Sequence, residues 1–243
     1  MPHSIDREYA ERAIPQYERA VEQAGGEPVR IPLDQAPAAT MEIVERCNGV
    51  LLPGSNADVD PSRFGATRSP HTAAADPNRD AVDELLLQDA YNRRKPVLGI
   101  CYGLQSLNVY RAGSLIQHIP DFLPKDLRTR INHEAGRTVT VAHSVEIESN
   151  SKLAEILGSR RDQRVVPVNS SHHQSAGTIG EGLCLAARCP DDGIIEALEG
   201  TSPDHFVLAV QWHPERSVDQ DEPSRAIFRA LIEAAGARSK AGR

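Results

Sequence analysis

Apolar residues fall at helical spacing over residues 6–24 (DREYAERAIPQYERAVEQA), where Tyr17, Ala20, Val21 and Ala24 share a face. Pro15 predicts a break or a fresh helix start inside that stretch, and Gly25–Gly26 closes it. The run PVRIPL (28–33) predicts a short strand. TMEIVERCNG (40–49) predicts a second helix, and VLLPG (50–54) a buried strand running into a turn. Residues 55–80 show no periodicity. A loop of that length inside a compact domain is often functional, a disordered insertion being the alternative. AVDELLLQDAYNRR (81–94) reads as an amphipathic helix, VLGI (97–100) as a buried strand, and LQSLNVYRAG (104–113) as a helix stopped by Gly113.

The second half is richer in strands. TVTVAHSVEIE (138–148) alternates with period two, and SKLAEILG (151–158) has a helical rhythm with a glycine stop. RVVPVNS (164–170), LCLAARC (183–189), IIEALE (194–199) and FVLAVQW (206–212) are further strand candidates. SRAIFRALIEAA (224–235) predicts a final amphipathic helix, with RSKAGR (238–243) fraying. Strands alternating with helices imply an α/β protein of three layers: a mostly parallel central sheet, helices on both faces, and a small antiparallel addition. No repeat and no linker divides the chain, so one domain over 1–243 is expected.

Composition narrows the function classes. The net charge of the 243 residues is -7. The longest basic blocks are Arg93–Arg94–Lys95 and Arg160–Arg161, so an electrostatic nucleic-acid binder is not expected. No apolar run reaches the roughly 20 residues that span a bilayer. The charged start MPHSIDREYAERA lacks a signal-peptide segment, so no membrane role and a cytoplasmic location are expected. In a reducing compartment the four cysteines, Cys47, Cys101, Cys184 and Cys189, predict no disulfide. Cys184 and Cys189 face no second Cys/His pair, and the histidines are scattered apart from His172–His173, so no metal site is expected.

The chemistry gathers at GICYGLQ (99–105). A buried strand ends at Ile100 and a helix begins just beyond. Gly99 and Gly103 flank Cys101 and permit the sharp turn of a nucleophile elbow at the carboxyl end of the sheet. A helix N-terminus lowers a thiol pKa from about 8.5 and favours thiolate. The alternative is a small apolar residue in a core. QWHPE (211–215) follows the strand FVLAV. In extended chain His213 and Glu215 share a side, the arrangement of a base and its orienting carboxylate.

Together GICYGLQ and QWHPE resemble the class I glutamine amidotransferase superfamily, with its G-x-C-x-G-x-Q and H-P-E motifs, over roughly residues 15–235. LLPGSNADVDPSRFG (51–65), VNSSHHQS (168–175) and FVLAVQWHPE (206–215) are similar to its γ-glutamyl-γ-aminobutyrate hydrolase branch. The resemblance implies the flavodoxin-like fold of that superfamily. It implies Cys101 as nucleophile, His213 as acid/base and Glu215 as its orienting carboxylate. The backbone N–H of Tyr102 is one implied oxyanion donor. The other comes from Gly54 or Ser55, a choice left open because many relatives carry a second glycine where this chain has Ser55. Gln105 matches a glutamine that shapes the glutamyl pocket, or else makes a structural hydrogen bond. His172 matches a histidine near the pocket, with His173 the less favoured of the pair. Asp58 and Asp60 contact an amine or cap local turns.

The implied reaction is hydrolysis of a small γ-glutamyl amide through a glutamyl thioester, needing no cofactor. Two alternatives stand beside it: a glutaminase subunit that hands ammonia to a docked synthetase, and a catalytically impaired regulatory module. Oligomeric state is open, a symmetric homodimer being the commonest oligomer. Relatives of this kind start with an apolar strand, and residues 1–5 make no convincing one. A gap beside the catalytic strand, or an edge open to another chain, is therefore expected. An extension upstream of Met1, if one is encoded, is expected to stabilise the protein.

Overall fold

The computed structural model describes residues 1–158 and 164–241, so Arg160–Arg161 and the last two residues of the expected fraying tail lie outside the described residues. Nine strands occur among them: β1 (Val50–Leu52), β2 (Val97–Ile100), β3 (Leu115–Ile116), β4 (His143–Ile147), β5 (Val165–Val168), β6 (Ser175–Ala176), β7 (Leu183–Arg188), β8 (Ile195–Gly200) and β9 (Val207–Val210). The helices are α1 (Arg7–Gln23), α2 (Pro37–Val44), α3 (Pro77–Arg93), α4 (Tyr102–Tyr110), α5 (Ile119–Phe122), α6 (Lys152–Ile156) and α7 (Glu222–Ala241).

Seven strands form one sheet in the order β1-β2-β9-β8-β7-β4-β5, and β3 pairs with β6 apart from it. β1, β2 and β9 run parallel. From β9 onward every pairing is antiparallel. The antiparallel part exceeds the small addition that the pattern predicts. β1 and β2 are joined by a crossover through α3, as a parallel pair needs, whereas β7, β8 and β9 follow one another through short connections.

The parallel strands are covered on both faces. Leu98, Ile100, Leu208 and Val210 pack with Tyr17, Val21, Phe228 and Leu231 of α1 and α7. Val97, Val207 and Ala209, one position out of phase, pack with Leu86, Leu87, Leu104 and Leu107 of α3 and α4. This is the period-two alternation of a strand with two buried faces.

Several expectations are corrected. α1 runs through Pro15 without a break. Pro15 and Glu11 are exposed, so the carbonyl that loses its helical partner faces water. α3 starts at Pro77, where Asp76 caps the Arg79 N–H at 3.2 Å. α7 continues to Ala241, beyond the expected end. The 55–80 loop is ordered around a short 3-10 turn (Pro61–Phe64) and buries Ala57, Asp58 and Val59. PVRIPL forms no strand, although Ile31 and Leu33 are buried.

Among the described residues no strand precedes α1, and β1 pairs with β2 alone. Residues 1–5 instead anchor the chain start. The Ser4 N–H donates to Asp76 at 2.6 Å, and the Pro2 carbonyl accepts from Arg79 at 2.9 Å. A cavity of about 740 Å³ lies along the free edge of β1, lined by Tyr17, Ile31, Val50, Leu51 and Leu231 among others. PVRIPL lies across that gap from β1 without a ladder partner, which is why an apolar extended segment fails to become a strand.

Candidate active site

Ile100 sits opposite Val210 where β2 and β9 end side by side. The chain leaves both strands at the same end of the sheet, and the Cys101 N–H donates to the Val210 carbonyl at 2.8 Å. Cys101 bridges β2 and α4 with φ 53° and ψ -105°. A non-glycine residue held there is strained by roughly 1–3 kcal/mol, the geometry of a nucleophile elbow. Two glycines permit it. A Cβ on Gly103 would lie 2.2 Å from the Leu52 carbonyl oxygen, and one on Gly99 would lie 2.8 Å from the Gly103 carbonyl carbon. Helix α4 therefore passes over the ends of β1 and β2 only on bare backbone.

His213 lies just past β9. Pro214–Arg216 form a single 3-10 turn, which brings Glu215 back to the ring. The His213 Nδ1–H donates to Glu215 Oε1 at 2.8 Å, and both side chains are almost fully buried. A carboxylate only accepts, so the ring carries its proton on Nδ1 and offers the lone pair of Nε2. Asn169 brackets the His213 backbone: it accepts the N–H at 3.0 Å and donates to the carbonyl at 2.9 Å. A Cβ on Gly54 would lie 3.0 Å from His213 Cε1, 3.1 Å from the Tyr17 hydroxyl and 3.5 Å from Cys101 Cβ. The Cys101 side chain, the His213 imidazole and the Tyr17 phenol thus converge on one bare backbone position.

Burial decides the resting charge of the thiol. It pushes Cys101 up to about 12, against the pull of the Arg216 guanidinium and the Tyr102 N–H. Burial thus opposes the thiolate that a helix N-terminus favours. Burial also lowers His213, with Glu215 opposing it. Burial raises Glu215, but His213 and then Arg216 outweigh it and hold the carboxyl below its usual range. The resting pair is a neutral thiol and a neutral imidazole over an ionised carboxylate.

The backbone donors are fixed from both sides. The Pro53 carbonyl accepts from the buried Arg79 guanidinium at 2.7 Å, and the Gly54 N–H donates to the Tyr17 hydroxyl at 2.9 Å. One peptide plane is therefore held at both its polar atoms, with Gly54 already engaged. The Tyr102 N–H opens α4 beside the sulfur. Its phenol donates to Asp80, and Arg79 stacks 4.7 Å from its ring centroid. Gln105 donates to the Gln174 carbonyl at 3.2 Å and to Gln211 Oε1 at 3.3 Å.

His172 joins His133, His143 and Glu196, and its Nδ1–H donates to the Gln174 carbonyl at 2.9 Å. His173 faces the long loop instead and donates to Asp58 at 2.8 Å, where Asp58 also accepts the Ala73 N–H at 2.7 Å. Asp60 caps the 3-10 turn through the Ser62 N–H. Sequence reading missed Asn169, Tyr17, Arg79 and Arg216. Asn169 lies inside VNSSHHQS and Arg216 directly follows HPE, so both had a motif beside them. Tyr17 and Arg79 look like ordinary helix residues.

A second polar cluster is buried behind this site, where no metal site was expected. His133, His143, His172 and Glu196 each turn a potential ligand atom inward, all within 4.8 Å of one another. Burial lowers His133, but Asp192 and Glu196 outweigh it and raise it to about 9. Burial raises Glu196, yet the neighbouring histidines pull it down to about 2.

The family model described as Peptidase C26 matches residues 2–215. A γ-glutamyl-γ-aminobutyrate hydrolase of Escherichia coli K12 is 33% identical over 221 residues, 90% of this chain and 84% of that protein. A Mycobacterium tuberculosis protein provisionally named a glutamine amidotransferase is 39% identical over 220 residues, and the match spans 90% of this chain and 66% of that protein's length. Among solved structures, a Thermoplasma acidophilum protein provisionally identified as one component of GMP synthase superposes with TM-score 0.64 at 16% identity, covering 93% of this chain and 90% of that one. The glutaminase domain of Trypanosoma brucei CTP synthase gives TM-score 0.60 at 17% identity, covering 91% and 87%. Both structural matches identify the α/β fold of class I amidotransferases.

Proposed function

The chain belongs to the Peptidase C26 family, and from that premise we propose that it hydrolyses a small γ-glutamyl amide of the γ-glutamyl-γ-aminobutyrate type through Cys101, His213 and Glu215. The observation that carries this reading is the convergence of a strained Cys101 and a Glu215-oriented imidazole on Gly54. His213 Nε2 takes the thiol proton as sulfur bonds to the γ-carbonyl carbon. The Tyr102 N–H, with the N–H of Ser55 or of Gly54 released from Tyr17, steadies the oxyanion, at roughly 3 kcal/mol per donor. The imidazolium returns the proton to the departing amine as the C–N bond breaks, leaving a glutamyl thioester. Water then gives a proton to His213 and adds to the thioester. Collapse releases glutamate, and the sulfur recovers its proton.

Arg137 shares its surroundings with Arg216, Arg12, Tyr9 and Glu215. Among the described residues it forms no ion pair and donates to Gln16 at 3.0 Å. In this reading Arg137 and Arg216 receive substrate carboxylate. Arg137→Ala should then raise KM about tenfold or more with kcat little changed.

The deciding experiment assays a panel of γ-glutamyl amides, free glutamine included, with wild type and Cys101→Ala. The expected result is turnover of γ-glutamyl-γ-aminobutyrate above glutamine by wild type alone. Turnover by Cys101→Ala would exclude the mechanism. Glutamine as the preferred substrate would point to ammonia delivery.

A further inference from the structure

The cluster of His133, His143, His172 and Glu196 has the geometry of a coordination sphere. Each histidine has its outer ring nitrogen already committed. His133 Nε2 donates to Asp192 at 2.9 Å, His143 Nδ1 to the Ser144 carbonyl at 3.2 Å, and His172 Nδ1 to the Gln174 carbonyl at 2.9 Å. All three partners are acceptors, so a ring that holds a single proton keeps it on the outer nitrogen and turns a lone pair inward. Those nitrogens and both Glu196 oxygens are buried and have no hydrogen-bond partner among the described residues. The inward nitrogens stand 3.3, 3.5 and 3.6 Å from Glu196 Oε1. That is long for hydrogen bonds. It is close to the edge of about 3.4 Å that a tetrahedron has when its ligand bonds are about 2.0–2.1 Å. The rings are turned, not stacked: His133 lies at 65° to His143 and 52° to His172, with centroids 4.7 and 4.9 Å apart.

Four electron-rich atoms within 4.8 Å of one another need a positive charge among them. One proton can serve one ring, whereas a divalent cation serves all four atoms. We propose that His133, His143, His172 and Glu196 bind one zinc-class divalent transition ion in a closed, tetrahedral, structural site. Three imidazoles and one carboxylate suit zinc. Asp192 supplies the outer carboxylate that orients a metal-bound histidine. Four protein ligands leave no open position for substrate, so the ion would not take part in hydrolysis. Its place in the fold gives it a different task. Ser170 and His172 both bond the His133 carbonyl, at 2.7 and 2.9 Å. The Glu196 carbonyl accepts the Gln211 N–H at 2.7 Å. The ion would therefore tie the Asn169 loop, which brackets His213, to the sheet beside β9.

The test uses the full chain carrying Cys101→Ala, so that the nucleophile is not a ligand and the result is independent of the hydrolase reading. Protein stripped by a chelator is titrated with zinc against a chromophoric zinc indicator, and its melting temperature is followed. One ion per chain is expected, with a gain of roughly 10 °C on saturation. Adding Glu196→Gln, which keeps the side-chain shape, should weaken binding at least 100-fold, as should adding His143→Ala. Adding Cys189→Ser or His118→Ala, at the two neighbouring His-containing clusters, should leave it unchanged. Zinc-edge absorption of the loaded protein should report a first shell of nitrogen and oxygen only. Substoichiometric binding, or equal affinity with and without Glu196→Gln, overturns the proposal. Should Glu196→Gln fail to fold, cobalt-loaded protein decides: an intense tetrahedral visible spectrum supports the site, and a weak octahedral one refutes it.

Discussion

Strain and burial act on the same residue at Cys101, and both can be measured without an assay of activity. Glycine ordinarily costs about 0.5–1 kcal/mol relative to alanine. At φ 53° the order should reverse, with Cys101→Gly about 1 kcal/mol more stable than Cys101→Ala in urea unfolding. The buried thiol sets an alkaline signature as well. Its folded pKa is raised from 9.0 to about 12, so above pH 9 the unfolded chain releases a proton that the folded chain keeps. Stability is lost as pH rises through that window, by about 1.4 kcal/mol per pH unit for one such group. Between pH 8 and pH 10 wild type should lose about 1 kcal/mol more than Cys101→Ala. Cys189, also raised to about 12, contributes equally to both proteins. The meeting of Cys101 with His213 and Glu215 was legible because two glycines and an H-P-E turn mark them in short motifs. The ionisation of the thiol was not, because it depends on desolvation by residues far away in the chain.

At the scale of elements, the site depends on backbones that touch. Gly103→Ala should cost more than about 3 kcal/mol, because its Cβ would strike the Leu52 carbonyl at 2.2 Å and neither strand nor helix can retreat. Gly65→Ala, where φ is 69° and nothing lies within 4 Å, should cost only about 1–2 kcal/mol. Asn169→Ala orphans the N–H of His213, at about 1–3 kcal/mol when buried, and leaves its carbonyl with the Arg216 N–H alone. It should lower both the melting temperature and kcat. Strongly patterned strands such as 97–100 and 206–210 could be read directly. PVRIPL has the pattern of a strand but no neighbour to pair with, and Pro15 has the chemistry of a breaker but faces solvent. Pattern records what a segment can become, and its surroundings decide which outcome is realised. The ordered course of 55–80 was unreadable for the same reason, since Asp58 is held by His173 from the far side of the chain.

For the whole molecule, the histidine cluster is the clearest case of information that no local stretch contains. Its four residues come from separate segments, with His143 on β4 and Glu196 on β8, and only folding gives them a common centre. The sheet is also unevenly supported. β2, which runs into Cys101, has β9 and four further strands on one side and only β1 on the other among the described residues. In deuterated buffer the labile hydrogens of Val50–Leu52 should therefore exchange ahead of those of Val97–Ile100 and Val207–Val210. Openings of the native state should begin at the Pro53–Gly54 side of the candidate site and reach the imidazole side last.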